Sequence, residues 1–163
     1  VFFLAICLSA ALSLASEVSL GGAGAAAAGL VLAVFIGLGI LFDIIGVAVT
    51  AADPRPFHSM AAHKEPGAKE ALMLLRNAGR VSSVCNDVVG DICGIVSGTT
   101  TAVIVVRLQA TFSLPESVLL SVAVTALVSG LTIGGKALGK TVALNKSTSV
   151  VYWVGRVLHL FHR

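Results

Sequence analysis

Four side chains that could bind a cation lie in otherwise apolar stretches of this 163-residue chain. Asn86, Asp87 and Asp91 stand in the stretch SVCNDVVGDICGIVSG, and Asp43 stands in an earlier apolar run. Asp87 and Asp91 are four residues apart, so on a helix they share one face, where two ionised carboxylates repel each other. Mg²⁺ accepts carboxylate and amide oxygens and usually keeps several waters. The pattern therefore suggests a divalent-cation site formed by Asp43, Asn86, Asp87 and Asp91, with Mg²⁺ as the expected ion.

Two other interpretations of the same side chains stay open. Asp87 follows Arg80 by about two helical turns, so the aspartates could pair with basic residues while Asn86 hydrogen bonds within its helix. Polar contacts between helices without any ion are common in membrane bundles. A proton or substrate site is the third interpretation. In each case we expect Asp91, about one turn further from Arg80, to need a partner more than Asp87 does.

The amino-acid composition indicates whether these side chains lie in water or in a lipid bilayer. Hydrophobic residues make up 56% of the chain and charged residues 12%, and the mean hydropathy is +0.99. Soluble domains carry roughly 25% charged residues, so this composition predicts an all-α integral membrane protein. An aspartate in lipid costs about 2.5–3.5 kcal/mol and needs a partner or a cavity. The net charge of +3 is mild and indicates no nucleic-acid partner.

The distribution of apolar runs predicts about four transmembrane helices, at residues 1–16, 24–52, 81–108 and 117–134. Residues 53–80 are rich in charge and proline and are predicted to form a juxtamembrane helical hairpin. We assign residues 1–134 to a transmembrane bundle and residues 135–163 to an amphipathic interfacial tail. A signal-peptide core is the rival interpretation of the first run, but no basic segment precedes it, which favours a span.

Basic residues concentrate in the predicted hairpin and tail. The positive-inside rule therefore predicts that both segments, including the C-terminus, are cytoplasmic. We expect an integral protein of the plasma (cytoplasmic) membrane. The basic hairpin would offer a surface for anionic lipid or for a cytoplasmic protein.

No combination of residues suggests an enzyme, since no nucleophile elbow, phosphate loop or Ser/His/Asp set is present. The three cysteines lie in apolar runs and are expected to be reduced thiols. The four histidines fall in surface segments and are expected to be solvated. The hydroxyl groups of Ser97, Thr99, Thr100 and Thr101 are expected to hydrogen bond to carbonyls of their own helix.

The order of these parts resembles the transmembrane domain of the CNNM/CorC (CorB-type) family of magnesium transporters. A span ends in FDIIGVAVTAAD, a basic segment carries GAKEALMLLRNAGRVSSVCND, and two spans later the chain reads GGKALGKTVALNKSTSVVYWVGRVLHLF. The resemblance covers residues 35–161. It implies three core spans, a cytoplasmic juxtamembrane hairpin and a homodimer. Family members usually carry soluble regulatory domains after the membrane part, and these 163 residues contain none.

The chain departs from the family at the positions that match its cation site. The family has Ser-Gly-Ser-Glu where this chain has Asp43, Ile44, Ile45 and Gly46, and its Gly-Asn matches Cys85 and Asn86. A family glutamate is replaced by Lys136, so an acid has become a base. We therefore consider two hypotheses: divalent-cation (Mg²⁺) transport or sensing, and a non-transporting scaffold or regulatory protein in which an aspartate pairs with Lys136 or Lys140.

Overall fold

The computed structural model describes residues 2–20, 24–112 and 118–161, and every element in these ranges is helical. The helices are α1 (Phe2–Leu20), α2 (Ala25–Ala51), α3 (Arg55–Ala62), α4 (Ala68–Arg76), α5 (Ala78–Ser83), α6 (Asp91–Phe112), α7 (Val118–Asn145) and α8 (Ser147–Phe161). A π-helical segment, Val84–Gly90, joins α5 to α6. The predicted all-α class is therefore confirmed for the described part of the chain.

Three stretches are long and apolar enough to cross a membrane: Ala26–Ala51, Ala78–Thr111 and Val118–Asn145. They correspond to three of the predicted spans. In the first predicted span, residues 1–16, residue 1 lies outside the described part and the rest belongs to α1. The apolar stretch there is only Ala5–Val18, about 21 Å of helix against a hydrocarbon core of about 30 Å. The predicted total of four spans is therefore not confirmed.

Helix α7 does not end where the interfacial tail was predicted to begin, at residue 135. It continues to Asn145, and α8 begins at Ser147. Lys136 and Lys140, which were predicted to lie in the tail, lie within α7. Lysine has good helix propensity, and its long stem can carry the ammonium group towards water, so neither residue interrupts the helix.

Contacts divide the chain into two compact units. Unit 1 comprises Val1–Ile40 and Val88–Gly135. Its core joins Phe35 of α2 to Val88, Ile92, Cys93 and Val96, with apolar side chains of α1 packed around them. The hydroxyl groups of Ser16 and Thr100, 3.4 Å apart, link α1 to α6 inside this apolar packing.

Unit 2 comprises Leu41–Asp87 and Lys136–Arg163. Phe57 and Val151 are its largest apolar side chains with no exposed surface, and they pack with Val49, Ala71 and Ala143. Helices α3 and α4 pack against each other, and α4 packs most extensively against α8. The predicted position of α3 and α4 at the membrane surface stays a prediction.

Small residues let α4 and α8 approach to backbone contact. A Cβ atom added at Gly155 would lie 2.5 Å from the Gly67 carbonyl oxygen and 2.9 Å from the Ala71 nitrogen. Gly67 also has φ +90°, a backbone conformation that side chains other than glycine rarely adopt. Close crossing of helices through small residues is the expected way to pack without large apolar side chains.

Candidate functional site

Asp43 is the only charged residue of α2, and it is buried, with 7% of its surface exposed. Its neighbour is Lys136 of α7, whose Nζ lies 4.0 Å from Asp43 Oδ1. The Lys136 side chain keeps 29% of its surface exposed, compared with 10% for Asp43. The predicted pairing of an aspartate with Lys136 is therefore present in unit 2, and Asp43 is the aspartate concerned.

The Lys136 ammonium group does not fully satisfy the Asp43 carboxylate. A separation of 4.0 Å is an electrostatic contact but is longer than a hydrogen bond. The second carboxylate oxygen, Asp43 Oδ2, is buried and has no hydrogen-bond partner among the described residues. A buried carboxylate oxygen without a partner carries a large desolvation cost, so this position favours a ligand that can donate a hydrogen bond or supply positive charge.

Asn86 approaches the same part of α2 from the π-helical segment. Its Nδ2 donates a hydrogen bond to Ser82 Oγ at 3.3 Å. Its Oδ1 lies against Gly46, where an added Cβ would overlap the amide group. Gly46 follows Asp43 by three residues and therefore lies on the same face of α2, one turn along. Asn86 can reach α2 only because position 46 has no side chain.

Asn86 Oδ1 is the second buried oxygen that lacks a hydrogen-bond partner within the described part of the chain. Asp43 and Asn86 thus present a carboxylate oxygen and an amide oxygen that are both unsatisfied. Asp43 contacts Lys136, and Asn86 contacts Gly46 one turn along α2. All four are among the positions that the family resemblance matched to the cation site.

The other two predicted ligands are placed differently. Asp87 belongs to the π-helical segment and Asp91 is the first residue of α6, and both are exposed on the chain. In residues 2–20, 24–112 and 118–161, no group of three or more His, Cys, Asp or Glu side chains could hold a metal ion. The candidate site in unit 2 therefore offers one carboxylate, one amide oxygen and a competing ammonium group.

A second polar contact escaped the sequence reasoning. His159 of α8 was expected to be solvated, but its Nδ1 lies 2.8 Å from Glu70 Oε1 of α4. His159 follows Gly155 by four residues, so it extends the face of α8 that crosses α4. The i, i+4 spacing of Val151, Gly155 and His159 was a signal that could have identified this face.

The hydroxyl groups of the third predicted span behave as expected. Ser97, Thr100 and Thr101 donate to the carbonyl oxygens of Cys93, Val96 and Ser97 at 2.7–2.8 Å. These are bonds to the preceding turn of the same helix, which satisfy the hydroxyl hydrogen without another helix.

The three stretches that are long and apolar enough to cross a membrane, together with the buried Asp43 and its Lys136 contact, define an integral membrane protein with a polar site in unit 2. A family model described as CNNM, Cyclin M transmembrane N-terminal domain, matches residues 30–163. The chain therefore belongs to the CNNM family, as its resemblance to the CNNM/CorC transmembrane domain indicated. No curated protein and no solved structure matches the chain.

Proposed function

We propose that this CNNM-type membrane domain binds a divalent cation, with Mg²⁺ as the expected ion, in order to transport or sense it. Asp43 and Asn86 are the proposed ligands. The supporting observation is that Asp43 Oδ2 and Asn86 Oδ1 are both buried and both lack hydrogen-bond partners among the described residues. Mg²⁺ needs only one or two protein carboxylates and keeps several waters, so a small oxygen set is sufficient for a weak transport site.

Lys136 is the proposed internal competitor for this cation. The Asp43–Lys136 pair has no net charge, so a divalent ion gains little attraction until the ammonium group withdraws. Lys136 is partly exposed, and its four-carbon stem lets the charge move towards water while the stem stays packed. The replacement of the family glutamate by Lys136 therefore predicts weaker and more easily reversed cation binding.

A thermal-stability titration tests the cation site. The purified protein is stripped of metal in detergent and its unfolding temperature is measured with and without millimolar Mg²⁺. We expect Mg²⁺ to stabilise the wild type, by about 2.7 kcal/mol at a concentration of 100 Kd. Asp43→Asn should abolish the effect, and Lys136→Met should enlarge it.

Asp87→Asn and Asp91→Asn are the matched controls, because each removes an exposed carboxylate and should leave the Mg²⁺ effect unchanged. If either control abolishes the effect while Asp43→Asn keeps it, the site belongs to the exposed aspartates instead. Equal unfolding temperatures with and without Mg²⁺ for both wild type and Lys136→Met would reject cation binding.

The Asp43–Lys136 contact itself favours a second function, that of a non-transporting membrane scaffold or regulatory protein. In that case Lys136 takes the place of the cation permanently and the pair only stabilises the bundle. The two functions give different results in the same titration. A scaffold shows no Mg²⁺ effect in the wild type, yet it loses stability when either partner of the pair is removed.

We further propose that α3, α4 and α8 lie on the cytoplasmic side of the plasma membrane. The support is the concentration of Lys and Arg in residues 53–80 and 135–163. Cysteines placed at the exposed Ser59 and Ser149 should react with an impermeant thiol reagent only after cells are lysed. Labelling of either position in intact cells would reverse the proposed orientation.

A further inference from the structure

Helix α8 has two apolar faces, and the described part of the chain covers only one of them. Val151 and Gly155 are buried and lie on the face that packs against α4. Large apolar side chains on the other face are between 47% and 86% exposed: Trp153, Val157, Leu160 and Phe161. At 100° per residue these four fall within about 100° of one another, on the side of α8 opposite to Gly155. They form the exposed α8 face.

Helix α8 is joined directly to α7, one of the helices long and apolar enough to cross a membrane. Lys146 alone separates the two helices, and the helical hydrogen bonds continue through it. Its N–H donates to the Val142 carbonyl at 2.9 Å, and its carbonyl accepts from the Val150 N–H at 3.0 Å. The 28 residues of α7 make about 42 Å of helix, which matches the ~40–45 Å of a bilayer with its headgroup regions. A spanning α7 therefore brings the start of α8 to headgroup level.

The charges of α8 suit a headgroup surface. Neither Asp nor Glu occurs between Ser147 and Phe161. The exposed Arg156 lies about 60° round the helix from Trp153, at the border of the exposed α8 face, and the exposed Lys146 stands at its start. Basic residues beside an apolar face are typical of helices that lie on anionic lipid. Tryptophan is enriched at the same level, because its ring is apolar and its N–H is polar.

Water and a second span are both poor explanations of the exposed α8 face. A surface helix in water turns polar residues away from the protein core, whereas α8 turns its tryptophan and three other large apolar residues outward. The 15 residues of α8 are fewer than the roughly 20 that a span requires. A position along the membrane surface satisfies both the length of the helix and the apolar character of its outer face.

We propose that α8 lies along the leaflet at which α7 ends, with the exposed α8 face in the boundary between headgroups and acyl chains. Helix α4, which packs on the opposite face, is then on the water-facing side of α8. The inference goes beyond the predicted interfacial tail because it identifies the face that meets lipid and makes α8 the element that separates α4 from the bilayer. It does not depend on cation binding, because neither Asp43 nor Lys136 takes part.

The fluorescence of Trp153, the only tryptophan of the chain, tests the proposal. The full chain is reconstituted in vesicles of phosphatidylcholine and phosphatidylglycerol, with or without bromine atoms on the upper part of the acyl chains. Bromine quenches a tryptophan that it contacts, and aqueous iodide quenches one that water reaches. Tyr152→Trp/Trp153→Phe is the matched control. It moves the tryptophan by one residue, about 100° round the helix, to a partly buried position packed on the core of unit 2.

We expect brominated lipid to lower the Trp153 fluorescence about twofold, because the apolar face of an interfacial helix lies roughly 5–10 Å into the headgroup and acyl boundary. Iodide should have little effect on Trp153, and brominated lipid should have little effect on the control. Quenching of Trp153 by iodide alone would overturn the proposal, because water would then cover the face. Quenching by neither agent would also overturn it and show that a protein surface, such as a second copy of the chain, lies there. Equal quenching of both variants by brominated lipid would overturn the assignment of the face.

Discussion

Replacing Lys136 by methionine should destabilise the metal-free protein by about 2 kcal/mol. The substitution removes the counter-charge of Asp43 and leaves a carboxylate that is 90% buried without an ion partner. Breaking a fully buried pair costs ~3–5 kcal/mol. The expected loss is smaller because Nζ and Oδ1 are 4.0 Å apart and the Lys136 side chain is partly exposed.

Asp43→Asn should cost less than Lys136→Met, since the stranded ammonium group can extend towards water while the stranded carboxylate cannot. The double variant Asp43→Asn/Lys136→Met removes both charges and should return to within about 1 kcal/mol of the wild type. The measurement is the unfolding transition of each variant in detergent with EDTA present. Lys140→Met, an exposed lysine four residues further along α7, is the matched control and should have little effect.

Additive losses in the double variant would contradict an interaction between Asp43 and Lys136, because a coupled pair must show non-additivity. If Lys140→Met destabilised the protein as much as Lys136→Met, the loss of stability would come from removing any lysine of this part of α7 and not from the contact with Asp43. The two single variants should also be compared with each other for the stability that each one loses. The comparison shows whether the burial of Asp43 or the burial of Lys136 contributes more to the loss of stability.

The sequence was sufficient to predict the three long spans. An apolar run of about 20 residues in lipid can satisfy its backbone groups only as a helix, so hydropathy alone locates Ala26–Ala51, Ala78–Thr111 and Val118–Asn145 to within several residues, except for the end of the last one. The short Ala5–Val18 stretch was harder to assign from the sequence. It is somewhat shorter than a spanning helix requires, so its length does not distinguish a span from another apolar helix.

The candidate site was only partly predictable. Asp43 and Asn86 were identified because a polar side chain in lipid requires a partner, and Lys136 because it replaces an acid of the family. Asp87 and Asp91 looked equivalent to them in sequence, yet both are exposed on the chain while Asp43 is buried. Hydropathy identifies the stretches that are apolar enough to lie in the membrane. It carries no information about which face of a helix contacts another helix.

Two features of the structure could not be predicted from the sequence. The π-helical segment Val84–Gly90 keeps a helical hydrogen-bonding pattern, and its composition does not differ from that of an α-helix, although such segments occur often at functional sites. The contact of Gly67 with Gly155 joins residues far apart in the chain. Glycine is common throughout this sequence, so neither residue stood out.

That glycine contact gives the second large expected effect. Gly155→Ala should destabilise the packing of α4 against α8 by about 3 kcal/mol, at the upper end of the usual cost of overpacking. The new methyl group would lie 2.5 Å from the Gly67 carbonyl oxygen and 2.9 Å from the Ala71 nitrogen. Both are backbone atoms, which cannot rotate away as a flexible side chain can, so the two helices must separate.

Gly79→Ala and Gly130→Ala are the matched controls, because an added Cβ at either position meets nothing within 4 Å. Alanine favours the helix over glycine by roughly 1 kcal/mol, so these two variants should be neutral or slightly more stable. The same chemical change is therefore expected to have opposite signs at different positions, which separates helix propensity from steric overlap.

The fluorescence of Trp153 offers a local readout, since it is the only tryptophan of the chain and lies on α8. In Gly155→Ala its thermal transition should move to lower temperature. A Glu70→Gln/Gly155→Ala double variant should lose little beyond Gly155→Ala alone, because helix separation already breaks the contact of His159 with Glu70. A Gly155→Ala protein that melts at or above the wild-type temperature would show that α4 and α8 do not cross at Gly155.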